Sequence, residues 1–257
     1  MDPYYSAAHC TPAYQLRWSL ALFPNTPVPA VQSWLSTLCS SLAADDIRVL
    51  QANVSPKGAL LLLLSTQPLA KPDFIVQCAK GRLQYLLRQQ NITWRRNFRL
   101  TTLGGGKTEA VEKYVEQQLQ HHKLVSEKSQ QDLAELSWSD PEVKIVEPIY
   151  SSHAQYILGL HVVLVHSQRW TTVETGLLQA TQQTILKTAA EQNCQVSRIG
   201  ILADHIHATV RFHYKLAPGE LALALMNAVA QRHRMRLWSD SYYVGTIGPY
   251  DMDAVRN

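Results

Sequence analysis

WRRNFRLTTLGGGKTEAVEK, residues 94–113, and WSDSYYVGTIGPYDMDAVRN, residues 238–257, align without a gap at an offset of 144. Trp94 matches Trp238, Phe98 matches Tyr242, Gly104 matches Gly248, and Ala110-Val111 matches Ala254-Val255. Each stretch reads as an extended segment, a glycine break and the start of a helix. A gap-free match of this length indicates a chain built twice from one kind of unit.

Upstream the same order of elements recurs, with shifts of a few residues that loops absorb. In the first unit, 14–23 reads as a strand and 31–42 as a helix. Residues 47–52 and 59–65 form a hairpin across Ser55-Pro56-Lys57-Gly58, 72–90 a helix, 94–100 a strand, and 108–123 a third helix. In the second unit the matching elements are 156–166, 172–192, a hairpin of 196–202 and 205–214, 220–234, and 237–247. Strands interleaved with helices and antiparallel hairpins predict an α+β fold: two tandem ferredoxin-like domains, each an antiparallel sheet with helices on one face. The expected division is an N-terminal arm (1–13), a first half (14–123), a polar connector (124–151) and a second half (152–257), the halves forming a pseudo-dimer.

At 257 residues and 46% hydrophobic the chain can build a sizeable core, and 17% charged residues leave no run long enough for a disordered tail. A net charge of +4 is mildly basic, compatible with nucleic acid and equally with an ordinary solvated surface. Cys10, Cys39, Cys78 and Cys194 form no C-x-x-C pair, and the N-terminus does not resemble a secretion signal, so reduced thiols and a cytoplasmic, nucleoid-associated protein are expected. The longest apolar run, 59–64, is too short to span a bilayer and reads as a buried strand.

The chemistry centres on His205-Ile206-His207, flanked by β-prone residues. On a strand the two imidazoles share a face and Ile206 points to the other. Neutral imidazole is the commonest metal ligand, so the pair can hold a divalent ion; two incidental histidines are the plainer alternative. Asp204 precedes them and can orient the pair. In the first half, Tyr114 and Gln118 lie four apart, on one predicted helix face. A phenol can act as a nucleophile beside a metal, and an amide oxygen can be a third ligand. An amphipathic helix with both residues in water is the alternative.

Together, ADHIHA (203–208), LWSDSYYVGTIG (237–248) and AVEKYVEQQ (110–118) resemble the signatures of IS200/IS605-type single-tyrosine HUH transposases, including their REP-associated relatives. The resemblance is strong in the second half and clear in the first from about residue 80 to 118. It implies a ferredoxin-like protein acting on single-stranded DNA, commonly with a DNA hairpin near the cut. The histidines and a glutamine hold Mg²⁺ or Mn²⁺, and the tyrosine attacks the phosphate to form a 5′-phosphotyrosine. In many members the tyrosine helix of one subunit completes the histidine site of the other.

The chain departs from the pattern in both halves. The positions of the histidine pair in the first half read as Lys57 and Ala59, neither of them suited to the ion. In the second half the offset puts the tyrosine at 258, one past Asn257. The expectation is one composite site, with His205, His207 and Gln118 as metal ligands, Tyr114 as nucleophile and Asp204 behind the histidines. A longer natural chain carrying its own second tyrosine is the competing explanation. Lys80, Arg82, Arg88, Arg95, Arg96, Arg232, Arg234 and Arg236 are candidates for contact with DNA phosphates. Trp94 and Trp238 read as core because the repeat matches them. His161, His166, His213 and His233 receive no role. The leading function is a metal-dependent nuclease and strand transferase on single-stranded DNA. A domesticated DNA-binding protein that no longer cuts is the alternative, and a metal-dependent hydrolase ranks last.

Overall fold

The computed structural model describes residues 3–121, 127–168 and 174–250. The strands are β1 (Thr11–Gln15), β2 (Arg17–Pro24), β3 (Ile47–Val54), β4 (Leu60–Thr66), β5 (Trp94–Thr102), β6 (Trp138–Ser139), β7 (Ile149–Tyr150), β8 (Ala154–Ile157), β9 (Gly159–His166), β10 (Gln195–Ile201), β11 (His205–Arg211) and β12 (Trp238–Ile247). The helices are α1 (Leu35–Ala43), α2 (Pro72–Leu86), α3 (Thr108–Glu116), α4 (Gln118–His121), α5 (Glu127–Leu136), α6 (Thr175–Glu191) and α7 (Pro218–His233). No helix among the described residues is long and apolar enough to cross a membrane.

The fold is α+β, with two six-stranded sheets ordered β3-β4-β2-β5-β8-β7 and β1-β12-β9-β11-β10-β6. Four strands in each have the antiparallel ferredoxin-like order, the first strand between the third and fourth. Alternation explains the layering. Leu20, Leu22, Leu60, Leu62 and Leu64 are buried on one face of the first sheet, where α1 and α2 supply Leu38, Leu42, Ile75, Ala79 and Leu83. Ile206, Ala208 and Val210 do the same in the second sheet, against α6 and α7. Helix starts and stops follow local chemistry. Pro72 and Pro218 open α2 and α7, where the Ala217 N–H donates to Glu220 Oε2 at 3.0 Å. Among the described residues, the four non-glycine positions with positive φ come in matched pairs, Asp46 and Asn193 after the first helix of each unit, Asn91 and Arg234 after the second.

The division in sequence is not a division in space. Residues 14–23, expected as one strand, break at Leu16. β2 stays in the first sheet, while β1 runs parallel to β12 in the second. The mirror event occurs at Leu158: β9 belongs to the second sheet, and β8 pairs parallel with β5 in the first. Two matched threonines tie the exchange. The Thr102 hydroxyl donates to Ile247 O (2.7 Å) and accepts from Gly159 N–H (2.9 Å). The Thr246 hydroxyl donates to Leu103 O (2.7 Å) and accepts from Arg17 N–H (2.9 Å).

The N-terminal arm is therefore anchored along its described length. Tyr5 is buried, donates from its hydroxyl to Trp238 O (3.1 Å) and accepts from Trp238 N–H (2.8 Å). The connector carries structure too: α5, β6 on the outer edge of the second sheet, and β7 on that of the first. Trp238 is buried in the hydrophobic core, and Trp94 is partly buried at the margin of that core.

Candidate active site

β11 lies between β9 and β10, which fixes the facing of its side chains. His205 stands opposite Val165, and His207 opposite Val163 on one side and Gly200 on the other. The two imidazoles share the face away from α6 and α7, with ring centroids 4.9 Å apart. His205 Nδ1 is hydrogen-bonded to Asp204 Oδ1 at 2.7 Å. His207 Nδ1 is hydrogen-bonded to His161 Nε2 at 2.9 Å. Both rings are thus oriented through Nδ1, and the ring atom each can offer a metal is Nε2.

His161 is the residue that sequence reasoning passed over. It lies on β9 opposite Thr209 and Gly245, stacked on His207 (5.1 Å between centroids) and edge-on to Tyr243 (5.8 Å). Burial lowers its pKa to about 4, so it is neutral at neutral pH. With His161 neutral, its Nε2 can accept the Nδ1–H of His207, the pairing that would leave His207 Nε2 as the ring's acceptor atom. Its strand was legible and its face follows from alternation. The register that brings it to His207 was not.

The helix of the first half crosses onto this face. α3 packs on β10 and β11. Val115 is buried beneath it, Ser197 Oγ donates to Glu112 Oε1 at 2.6 Å, and Glu116 pairs with Arg198. Gly200 makes the approach possible: a Cβ there would sit 2.5 Å from Val115 O. Tyr114 remains 44% exposed, its ring edge-on to His207 at 5.7 Å between centroids. The expected helix 108–123 is interrupted at Gln117, so Gln118 begins α4 instead of continuing the face of Tyr114. Gln118 still turns inward, 1% exposed, its Cγ 3.3 Å from where a Gly200 Cβ would lie, beside the strand partner of His207.

Two imidazoles and a side-chain amide are donor types that a divalent ion accepts. Among the described residues no group of three or more His, Cys, Asp or Glu can hold a metal; the amide of Gln118 lies beside Gly200, the strand partner of His207. Both Gln118 amide atoms are buried without a hydrogen-bond partner among the described residues. An unsatisfied buried polar group costs about 1–3 kcal/mol, a cost that ligation of a cation by Oε1 offsets. Two imidazoles and one amide oxygen suit Mn²⁺ better than the harder Mg²⁺.

The counterpart face of the first sheet has no such donors. Pairing of β4 with β2 and of β11 with β9 matches His205 to Ala59 and His207 to Leu61, which corrects the expected Lys57 and Ala59. The turn between β3 and β4 holds two more residues than that between β10 and β11, and this shifts the register by two. The second-half tyrosine helix, expected from residue 251 onward, lies outside the described residues.

The basic candidates lie on separate elements. Lys80 Nζ donates to Arg95 O (3.0 Å) and Arg96 O (3.3 Å), a strut between α2 and β5. Arg82 is paired with Asp45 (2.9 Å), Arg236 with Asp240, and Arg88 lies over the Tyr85 ring. Arg95, Arg96, Arg232 and Arg234 are exposed.

Residues 154–257 match the family model described as transposase, IS200-like. No curated protein matches the chain. Two crystal structures cover most of it at very low similarity. One, described as a glycine cleavage system transcriptional repressor, has 9% identity and a TM-score of 0.23, over 90% of this chain and 97% of that one. The other, the ligand-free regulatory subunit of aspartate kinase from Thermus thermophilus, has 14% identity and a TM-score of 0.20, over 84% and 92%. Neither likeness bears on function.

Proposed function

We propose that the chain is a metal-dependent transesterase on single-stranded DNA, a fused pseudo-dimer of the IS200/IS605 single-tyrosine type with one composite site. The observation that carries this reading is the edge-on contact of Tyr114, from the first half, with His207 of the second. The transposase family match covers the histidine half and supports the same chemistry.

His205 and His207 through Nε2 and Gln118 through Oε1 would hold Mn²⁺ or Mg²⁺. The chemistry a bound ion supplies there is polarisation of a non-bridging oxygen of the scissile phosphate. Asp204 and His161 each hold one ring through its Nδ1. Tyr114, exposed at the margin of α3, supplies the nucleophile. Its Oη bonds to phosphorus as the bond from phosphorus to the 3′ oxygen breaks. The phenol proton goes to solvent and the leaving 3′ oxygen takes one up. The product is a 5′-phosphotyrosine and a free 3′-hydroxyl, and attack by a 3′-hydroxyl on that link rejoins a strand. Val115, buried under α3, fixes the nucleophile by packing, and such positioning supplies much of the rate.

The test is a covalent adduct on a denaturing gel, from labelled single-stranded DNA carrying hairpins and Mn²⁺. Tyr114→Phe and His205→Ala should each abolish it. Tight binding with no adduct on any substrate would identify instead a domesticated protein that binds DNA and no longer cuts it.

A further inference from the structure

The face of the first sheet that matches the histidine face has lost its ligands and kept a groove. It lies along β5, β7 and β8, has a volume of about 450 Å³, and is lined by Phe23, Asn97, Arg99, Tyr150, His153 and Gln155 among others. No carboxylate lines it. Arg99 stands opposite Ala21 and Gln155, and at the repeat offset it occupies the place that Tyr243 holds beside His161. Among the described residues Arg99 makes no ion pair, and its Nε is buried without a hydrogen-bond partner. Tyr150 is 71% exposed, and its hydroxyl accepts a hydrogen bond from Gln155 Nε2 at 3.1 Å, which steadies an otherwise open ring.

The surroundings are cationic. Between Asp73 and Glu109 the chain carries seven Lys and Arg and no Asp or Glu, and Arg95 and Arg96 of this group are exposed on β5. A guanidinium without a counter-ion, exposed aromatic surface and side-chain amides within one groove match the parts of a nucleotide. The phosphate takes the guanidinium, the base stacks on a ring, and the amides meet its edge. Stacking on a side chain requires an unpaired base, which favours a single strand over a duplex.

We propose that this groove binds a nucleotide of single-stranded DNA, so that the half without metal ligands holds a strand it does not cut. The choice of DNA as the strand rests on the function proposed above; the groove and its chemistry do not. The test is fluorescence anisotropy of a labelled 20-nucleotide oligo-dT, titrated at several NaCl concentrations. It uses Tyr114→Phe protein in EDTA, so that neither cleavage nor metal enters the reading. Arg99→Ala should weaken binding about tenfold and reduce the slope of log affinity against log salt by about 0.7, one phosphate contact on a single strand. Tyr150→Ala should weaken it about tenfold, and Tyr150→Phe, which keeps the ring, should restore it. Tyr150 is exposed enough that its loss leaves the fold intact, which thermal midpoints would verify. Unchanged affinity and salt slope in both alanine variants overturn the proposal. Because the adduct assay reads Tyr114 with metal and this one reads the groove without it, either can fail while the other stands.

Discussion

Gly200→Ala tests whether the tyrosine helix is seated where the composite site needs it. The new methyl would lie 2.5 Å from Val115 O and 3.3 Å from both Gln118 Cγ and Val115 Cγ1. The first contact is with backbone, so no rotamer change relieves it. To reach an ordinary carbon–oxygen distance, α3 and β10 must separate by roughly 0.8 Å, and overpacking of that kind costs about 1–3 kcal/mol. Gly200 does not have a positive φ, so alanine adds no backbone strain and slightly favours a strand. Any loss of stability is therefore attributable to the helix above. The expected thermal shift is a fall of about 2–12 °C. The effect on adduct formation should be larger, about a hundredfold, because displacing a nucleophile by about 1 Å is enough for that. Gly81→Ala is the control: it lies in α2 with nothing within 4 Å of a Cβ and should stabilise by about 0.5–1 kcal/mol. Parent stability and parent adduct rate in Gly200→Ala would refute the docking of α3 on β10.

Gln118→Leu should raise the unfolding free energy of metal-free protein in urea by about 1–2 kcal/mol, while Mn²⁺ affinity measured by electron paramagnetic resonance falls; a stability loss instead would mean that the amide has a partner. His161→Phe should weaken Mn²⁺ binding about 10- to 100-fold by releasing His207, with His161→Asn, which keeps an acceptor, nearer the parent. Equal affinity in all three would show that His161 orients nothing. Burial holds His161, His166, His213 and His233 below the ordinary imidazole pKa, so the unfolded chain takes up protons first as pH falls below about 6.5. Stability present above pH 6.5 should decline steadily to pH 5, where most carboxylates are still ionised. A flat urea midpoint across that interval would count against buried neutral histidines.

The order of strands and helices was legible because apolar periodicity follows burial on one face of each sheet. The 144-residue offset was legible because β5 and β12 do the same work, and their matched threonines Thr102 and Thr246 carry the ties between the sheets. Three features were not. The switch of β1 and β8 into the opposite sheets hinges on single residues, Leu16 and Leu158, through which the apolar pattern continues unbroken. The break at Gln117 falls in Val-Glu-Gln-Gln-Leu, which contains no helix breaker; packing of Val115 and Gln118 on Gly200 governs the course of the chain there. The approach of His161 to His207 depends on strand register, which alternation alone leaves open.

These features explain why the two halves are alike in scaffold and unlike in chemistry. The threonine ties, the exchanged strands and the positive-φ helix stops are present in both, because each sheet needs them to hold the other. The histidine pair carries no such load. Leu61, at the place of His207, leaves the first sheet whole, and Leu63 on the same face packs with Leu103. Loss of the pair from the first half therefore does not loosen the platform from which α3 reaches the second. The converse does not hold, since α3 lies directly over the surviving histidines and Val115 is buried in that contact. Removing α3 would expose Val115 and the face of the second sheet that α3 covers.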